Sequence, residues 1–164
     1  MKISFFLVIT VIFFSCHSKK QPPIKTGLEG KPMPSIALTA LDSTHFDTKN
    51  IQTGKPTILF AFSPGCPYCR AQTRSIVSNI NTLKEINIYM LCITQFPLLN
   101  KFYNQFELNK YSNIKIGIDY NFSFINYYKS ENVPYLAIYD KEKDLKQVLI
   151  GKKPISTLKE IALE

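Results

Sequence analysis

Histidine and arginine are scarce in this chain of 164 residues, with two of each. The histidines are His17, in a polar N-terminal stretch, and His45, in a short segment that reads as strand. A zinc site needs about four ligands. The four cysteines do not make up the shortfall, because Cys92 lies within the apolar run Ile88-Tyr89-Met90-Leu91-Cys92-Ile93, which reads as a buried strand. No metal site is expected, His45 reads as a surface or satisfied side chain, and Cys92 as a small core hydrophobe. The lack of arginine bears on partners. Net charge is +8, yet all basic residues except Arg70 and Arg74 are lysines, scattered apart from Lys19-Lys20 and Lys152-Lys153. A nucleic-acid face gathers its charge and carries arginine. This pattern is instead a solvated lysine-rich surface with weak affinity for anionic headgroups, and no nucleic-acid partner is expected.

Long apolar runs are also missing. Ile3 to Phe14 is apolar apart from Ser4 and Thr10, but a bilayer crossing needs about 20 apolar residues in a helix. With Lys2 before it and Ser15-Cys16 after it, the run has the form of a secretory signal core. It resembles a bacterial lipoprotein signal, in which the cysteine becomes the lipid-bearing N-terminus, although Phe13 and Phe14 stand where smaller residues are usual. The resemblance implies a signal over residues 1–15, lipid at Cys16, and a domain outside the cytoplasm. Ordinary cleavage near Ser15 leads to the same compartment. Residues 17–34 hold four of the ten prolines and read as a tether. The expected division is signal 1–15, flexible membrane tether 16–30 and one domain over 31–164, a size suited to a single core.

Within that domain, residues 35–41 and 45–51 read as a hairpin around a turn at Asp42-Ser43-Thr44. Strands follow at 57–62, 86–93, 114–118, 133–139 and 145–150. Helices are expected over 67–85, 97–109 and 122–128, and from 155. The order β-β-β-α-β-α-β-α-β-β-α, without repeats, predicts an α/β domain with helices on both faces of a sheet.

The chemistry gathers at Cys66-Pro67-Tyr68-Cys69, between the apolar strand 57–62 and a helix. A Cys-x-x-Cys pair at such a corner reads as a redox dithiol. Pro67 suits the first helical position, which needs no N–H. The unpaired amides and the dipole of the first turn favour a thiolate at Cys66. Cys69 follows one turn later on the same face, with Cβ atoms about 5–6 Å apart, within disulfide range. The expected roles are nucleophile for Cys66 and resolving thiol for Cys69, with the Cys66–Cys69 disulfide as the redox group and no other cofactor.

Together with Val133-Pro134 before a strand ending at Asp140, this arrangement resembles the thioredoxin superfamily. The leading hairpin, the helix before the proline and the lipoprotein-like start are similar to the exported TlpA/ResA-type thiol–disulfide oxidoreductases. The resemblance spans about residues 31–164. It implies a thioredoxin-like fold with a central mixed sheet and an extra N-terminal hairpin, and a cis bond at Pro134 facing the dithiol. It further implies a substrate-binding surface at Val133, Pro134, Pro67 and Tyr68, where an extended segment could pair with the Val133 backbone. Protein dithiol or disulfide clients, a membrane electron donor or acceptor, and the lipid bilayer through Cys16 are the partners it implies.

Three positions depart from the pattern. Phe60 stands where thioredoxins carry a buried acid, Gln72 where ResA-like proteins carry a glutamate, and Gly65 where an aromatic residue commonly precedes the pair. An amide can orient a thiol but cannot take its proton. Other readings stay open at this point. A peroxiredoxin-like peroxidase would use Ser63 near Cys66 but needs a cationic donor, and Arg70 and Arg74 lie on the motif helix itself. A glutaredoxin-like role lacks the Gly-Gly after Val-Pro. A non-catalytic or copper-binding module would want a nearby histidine.

Overall fold

In a computed structural model the element order matches that expectation, and the structure describes residues 22–94 and 96–164. The strands are β1 (Ala37–Thr39), β2 (His45–Asp47), β3 (Thr57–Phe62), β4 (Asn87–Cys92), β5 (Ile114–Ile118), β6 (Tyr135–Tyr139) and β7 (Leu145–Ile150). The α-helices are α1 (Pro67–Ser78), α2 (Phe96–Gln105), α3 (Ser123–Tyr128) and α4 (Ile155–Leu163). They build one mixed sheet in the order β2-β1-β5-β4-β3-β6-β7. β3, β4 and β5 run parallel, and every other pairing is antiparallel.

β3 lies in the middle of the sheet and is buried along its whole length. Its two-residue period divides the core. Ile58, Phe60 and Phe62 pack with Cys69 and Ile76 of α1, Leu99 and Phe102 of α2, and Leu158 of α4. Leu59 and Ala61 face the other way, towards Phe124 and Tyr128 of α3 and Ile36 and Leu38 of the leading hairpin. Burying each large apolar side chain contributes about 1.5–3 kcal/mol, so these two layers are what hold the helices to the sheet. The hairpin seats closely on β5, where a Cβ at Gly117 would lie 3.0 Å from that of Leu38.

Two helices are shorter than expected, for local reasons. α1 ends at Ser78 because Asn79 turns back on it. Its side-chain amide donates to the Ser75 carbonyl at 2.9 Å, and a 3-10 turn, Ile80–Thr82, follows. Asparagine competes for backbone partners in this way and favours helix ends. α2 stops at Gln105, with Glu107 in the left-handed region at φ 49° ahead of a second 3-10 turn. β2 is likewise cut short, because Asp47 accepts from the Lys49 amide at 2.8 Å and starts a 3-10 turn over Thr48–Asn50.

The expected tether needs a larger correction. From Ile24 to Met33 the chain runs along the outer edge of β7. Ile24 bridges to Val148 and Pro32 to Asp144. The Gly30 amide donates to the Leu145 carbonyl, the Leu145 amide to Lys31, and the Met33 amide to Lys143. Leu28 and Met33 pack against the second core layer. The packed domain therefore begins before residue 31, and this strip covers an edge that would otherwise be open. The signal, Cys16 and the first residues of the tether lie outside the described residues. No helix of the described residues is long and apolar enough to cross a membrane.

Candidate active site

Because Phe62, Cys92 and Ile118 are paired in register, β3, β4 and β5 end level, and the loops that follow them meet at one end of the sheet. The first of these loops carries the dithiol. Cys66 is the N-cap of α1, with extended backbone (φ −74°, ψ 121°), and Pro67 fills the first helical position. The Cys66 amide donates to the Ser63 carbonyl at 3.0 Å, closing the bend, and its carbonyl accepts from Arg70 at 3.0 Å as the helix begins.

The two thiols are free and occupy different surroundings. Cys66 is half-buried, whereas Cys69 is fully enclosed on the inner face of α1. Burial pushes the Cys69 thiol up to about 12, and the neighbouring Cys66 adds to the rise. The Ser63 backbone amide works the other way, by donating towards the sulfur. A thiol is nucleophilic only as thiolate, so the environment withholds Cys69 while leaving Cys66 accessible.

Across from the pair, the Val133–Pro134 peptide bond is cis, as the resemblance implies. The Cys66 thiol approaches the Val133 carbonyl at 3.7 Å. Pro134 is buried and leads into β6, beside β3. Tyr68 is 67% exposed at the rim. The other side chains singled out in the sequence take no part. Cys92 is buried in the core, its sulfur close to Thr94, and His45 is exposed with Nδ1 3.1 Å from the Thr39 hydroxyl. Among the described residues no group of three or more His, Cys, Asp or Glu side chains converges as a metal site.

Three features of the site are not visible in the sequence. Gln72 is fully buried, and its Oε1 accepts from the Lys153 amide at 2.6 Å across 81 positions of chain. In the same loop the Gly151 amide donates to the Pro134 carbonyl at 2.8 Å. Gly151 does so at φ 80°, where a side chain would be strained. The dithiol helix and the proline are thereby joined through the loop between β7 and α4. Arg70 has its guanidinium 5.9 Å and 5.5 Å from the ring centres of Phe102 and Phe106, and donates to the Pro64 carbonyl and to Gln105.

A dithiol at the start of a helix after a central strand, facing a cis-proline that opens the adjoining antiparallel strand, defines a domain of the thioredoxin superfamily. The chain belongs to the redoxin family, whose model matches residues 28–151. Among solved structures it is similar to a thiol:disulfide interchange protein from a Bacteroides species, with 17% identity, TM-score 0.66, and coverage of 83% of this chain and 91% of that one. It is also similar to StoA from Bacillus subtilis, with 16% identity, TM-score 0.61, and coverage of 80% and 97%. The thioredoxin domain of a thiol–disulfide oxidoreductase from Bacteroides vulgatus aligns with 17% identity, TM-score 0.63, and coverage of 80% and 93%. No curated protein matches the sequence.

Proposed function

We propose that this protein is a thiol–disulfide oxidoreductase that reduces or exchanges disulfides in exported proteins, tethered outside the cytoplasm by lipid on Cys16. The observation that carries the reading is the asymmetry of the pair: an accessible Cys66 against the Val133 carbonyl, and a buried Cys69 whose thiol is held protonated. In the reducing direction the Cys66 thiolate attacks one sulfur of a client disulfide. The other client sulfur leaves as thiolate and takes a proton from water. Cys69 then loses its proton to solvent and attacks the Cys66 sulfur, forming the Cys66–Cys69 bond and releasing the second client thiol. The client gains two electrons and the pair loses them; a membrane dithiol partner restores the pair by the same steps reversed.

The surroundings suit a polypeptide client. Of the large apolar side chains left exposed among the described residues, Tyr68, Phe96, Leu98, Tyr120 and Phe122 stand on or just after the loops at the dithiol end. An extended client segment has the Val133 backbone to pair with and these side chains to contact. The peroxidase reading fits less well, since Arg70 is already committed to two aromatic rings and two acceptors.

The test is a Cys69→Ser variant in cells. It should accumulate client proteins disulfide-linked to Cys66. Absence of any adduct, or adducts through Cys92, refutes the assigned roles. Purified protein should reduce insulin-type disulfides, and peroxide turnover that survives loss of Cys69 would favour the peroxidase. Incorporation of a labelled fatty acid that disappears in Cys16→Ser tests the anchor.

A further inference from the structure

The strip along β7 has a direction, and that direction places the anchor relative to the dithiol. Ile24 bridges to Val148 and Pro32 to Asp144, so residue numbers rise along the strip as they fall along β7. Followed back from Ile24, the chain therefore heads towards Ile150. Ile150 pairs with Tyr135, and Tyr135 with Ala61, at the end of the sheet that carries Cys66. Ile24 and Lys25 accordingly share a groove with Ile150, Tyr135, Tyr127 and Lys129. The anchor segment joins the domain at its dithiol end.

That segment is short. Six residue steps separate Cys16 from Pro22, a span of at most about 20–22 Å. Bringing the far end of the domain to the bilayer would mean running back along the six residues of β7, about 20 Å, which exhausts the reach. With the dithiol end towards the bilayer no such detour is needed.

The surface of that end has the composition of a membrane interface. Tyr68, Phe96, Leu98, Tyr120 and Phe122 are 41% to 67% exposed there. Of the large apolar side chains exposed among the described residues, only Leu163, near Gly54 and Asp140 at the far end, lies away from this end and the strip. Amphipathic aromatic side chains and lysines are the groups that settle at bilayer interfaces. Lys25, Lys101, Lys129 and Lys152 are exposed on the same side. Of the two carboxylates on the loops there, Asp119 is buried with both oxygens engaged, leaving Glu131. The ion pairs Lys55–Glu85, Lys110–Glu107 and Lys141–Glu142 lie at the opposite end.

We infer that the dithiol end seats on the bilayer that holds the Cys16 lipid, with this aromatic, lysine-bearing rim at anionic headgroups. The contact is weak by itself, but a short tether presents it at about millimolar effective concentration. A lipid chain combined with a basic patch is a two-signal anchor. The seat is reversible. A client segment displaces lipid from the rim to reach the Val133 backbone, so the disulfides served are those carried at the membrane surface. Bonds and electrons are those already written, and lipid takes no part in them.

The inference rests on lipid at Cys16, and the test keeps the two claims apart. The lipid-bearing protein is reconstituted in vesicles of equal parts phosphatidylethanolamine and phosphatidylglycerol. Hydroxyl-radical footprinting then reads the oxidation of individual side chains by mass spectrometry, against the full chain carrying Cys16→Ser in buffer. Tyr68, Tyr120 and Phe122 should be oxidised several-fold more slowly on vesicles, and Leu163 at an unchanged rate. A protein without lipid on Cys16 loses the anchor, and the inference with it. Lipid on Cys16 with the rim oxidised as fast as in buffer leaves the anchor standing and overturns the seat; the rim then serves proteins alone. Protection of Leu163 in place of the rim overturns it as well.

Lys129→Gln with Lys152→Gln forms the second arm. A lysine at an anionic surface changes binding about fivefold, so the double variant should lower the seated-to-free ratio about 25-fold, and the protection with it. Lys84→Gln with Lys141→Gln, at the far end, should keep the protection. Full protection in the first variant would mean that something other than charged headgroups covers the rim, and would overturn the inference. Equal loss in both variants would do the same.

Discussion

The Cys66 sulfur lies 3.7 Å from the carbonyl of Val133, whereas the Cys69 sulfur, one turn along the same helix, is sealed in the core. Alkylation of the reduced protein should reflect that difference. With its thiol pushed up to about 12, Cys69 at pH 8 is ionised in about one molecule in ten thousand. Cys92 is buried, with its thiol also raised by burial. Brief treatment with iodoacetamide near neutral pH, followed by peptide mapping, should find the label on Cys66 well ahead of both. Comparable labelling of Cys69 would contradict the arrangement.

The same burial makes stability depend on alkaline pH. A thiol is neutral when protonated, so a value raised by folding stabilises the folded state fully below the unfolded value of 9.0. That contribution is lost as pH rises from there through about 12. Tyr135, raised to about 12, and Tyr128 and Tyr139, also raised by burial, act in the same direction and form a background. The comparison with Cys69→Ala isolates the thiol. Between pH 9 and pH 11 the melting temperature of the reduced protein should fall more steeply than that of the variant. Parallel curves would assign the alkaline loss to the tyrosines alone.

What could be read in the sequence followed from strong local patterns. β3 is a continuous apolar run, β5 and β7 appear at the expected residues, and Cys66-Pro67 shows a helix start through a residue type suited to one position. Less legible were the points at which a side chain competes with its own backbone, as Asn79 does in ending α1. Least legible were contacts made by backbone groups. The strip from Ile24 to Met33 is fixed largely by main-chain bonds to β7, which no hydrophobic period signals. The Gln72–Lys153 bond joins a side chain to an amide in a distant loop, and only the fold brings the two together. The cis bond at Pro134 came from the family resemblance, since an X–Pro pair alone carries only a small cis prior, about 5–6%.

α3 depends on a buried carboxylate. Asp119, just beyond β5, accepts from the amides of Ser123 at 3.0 Å and Phe124 at 2.8 Å. These are first-turn donors that lack helical partners, and Phe124 is a core residue of the second layer. Asp119→Ala leaves them unpaired and should destabilise the protein by about 1–3 kcal/mol, read from urea unfolding. Asp119→Asn, which keeps an acceptor oxygen, should lose less. Equal losses in the two variants would show that charge, rather than acceptor geometry, sets the contribution.

The strip along β7 yields the sharpest test of the domain boundary. Deleting residues 1–21 leaves its bridges and backbone bonds intact and should leave urea stability near that of the full chain. Deleting residues 1–33 removes the Gly30, Lys31 and Met33 pairings with β7 and its turn, together with the packing of Leu28 and Met33. Each net hydrogen bond contributes about 0.5–1.5 kcal/mol and each buried apolar side chain about 1.5–3 kcal/mol. Some of these groups are only partly buried, so a loss of about 2–5 kcal/mol is expected. The bared β7 edge also offers unpaired amides and carbonyls to a second chain, so the longer deletion should self-associate in sedimentation measurements at concentrations where the shorter one stays monodisperse. If both deletions unfold at the same urea concentration and sediment alike, the strip contributes nothing to the fold, and the domain begins where the sequence alone placed it.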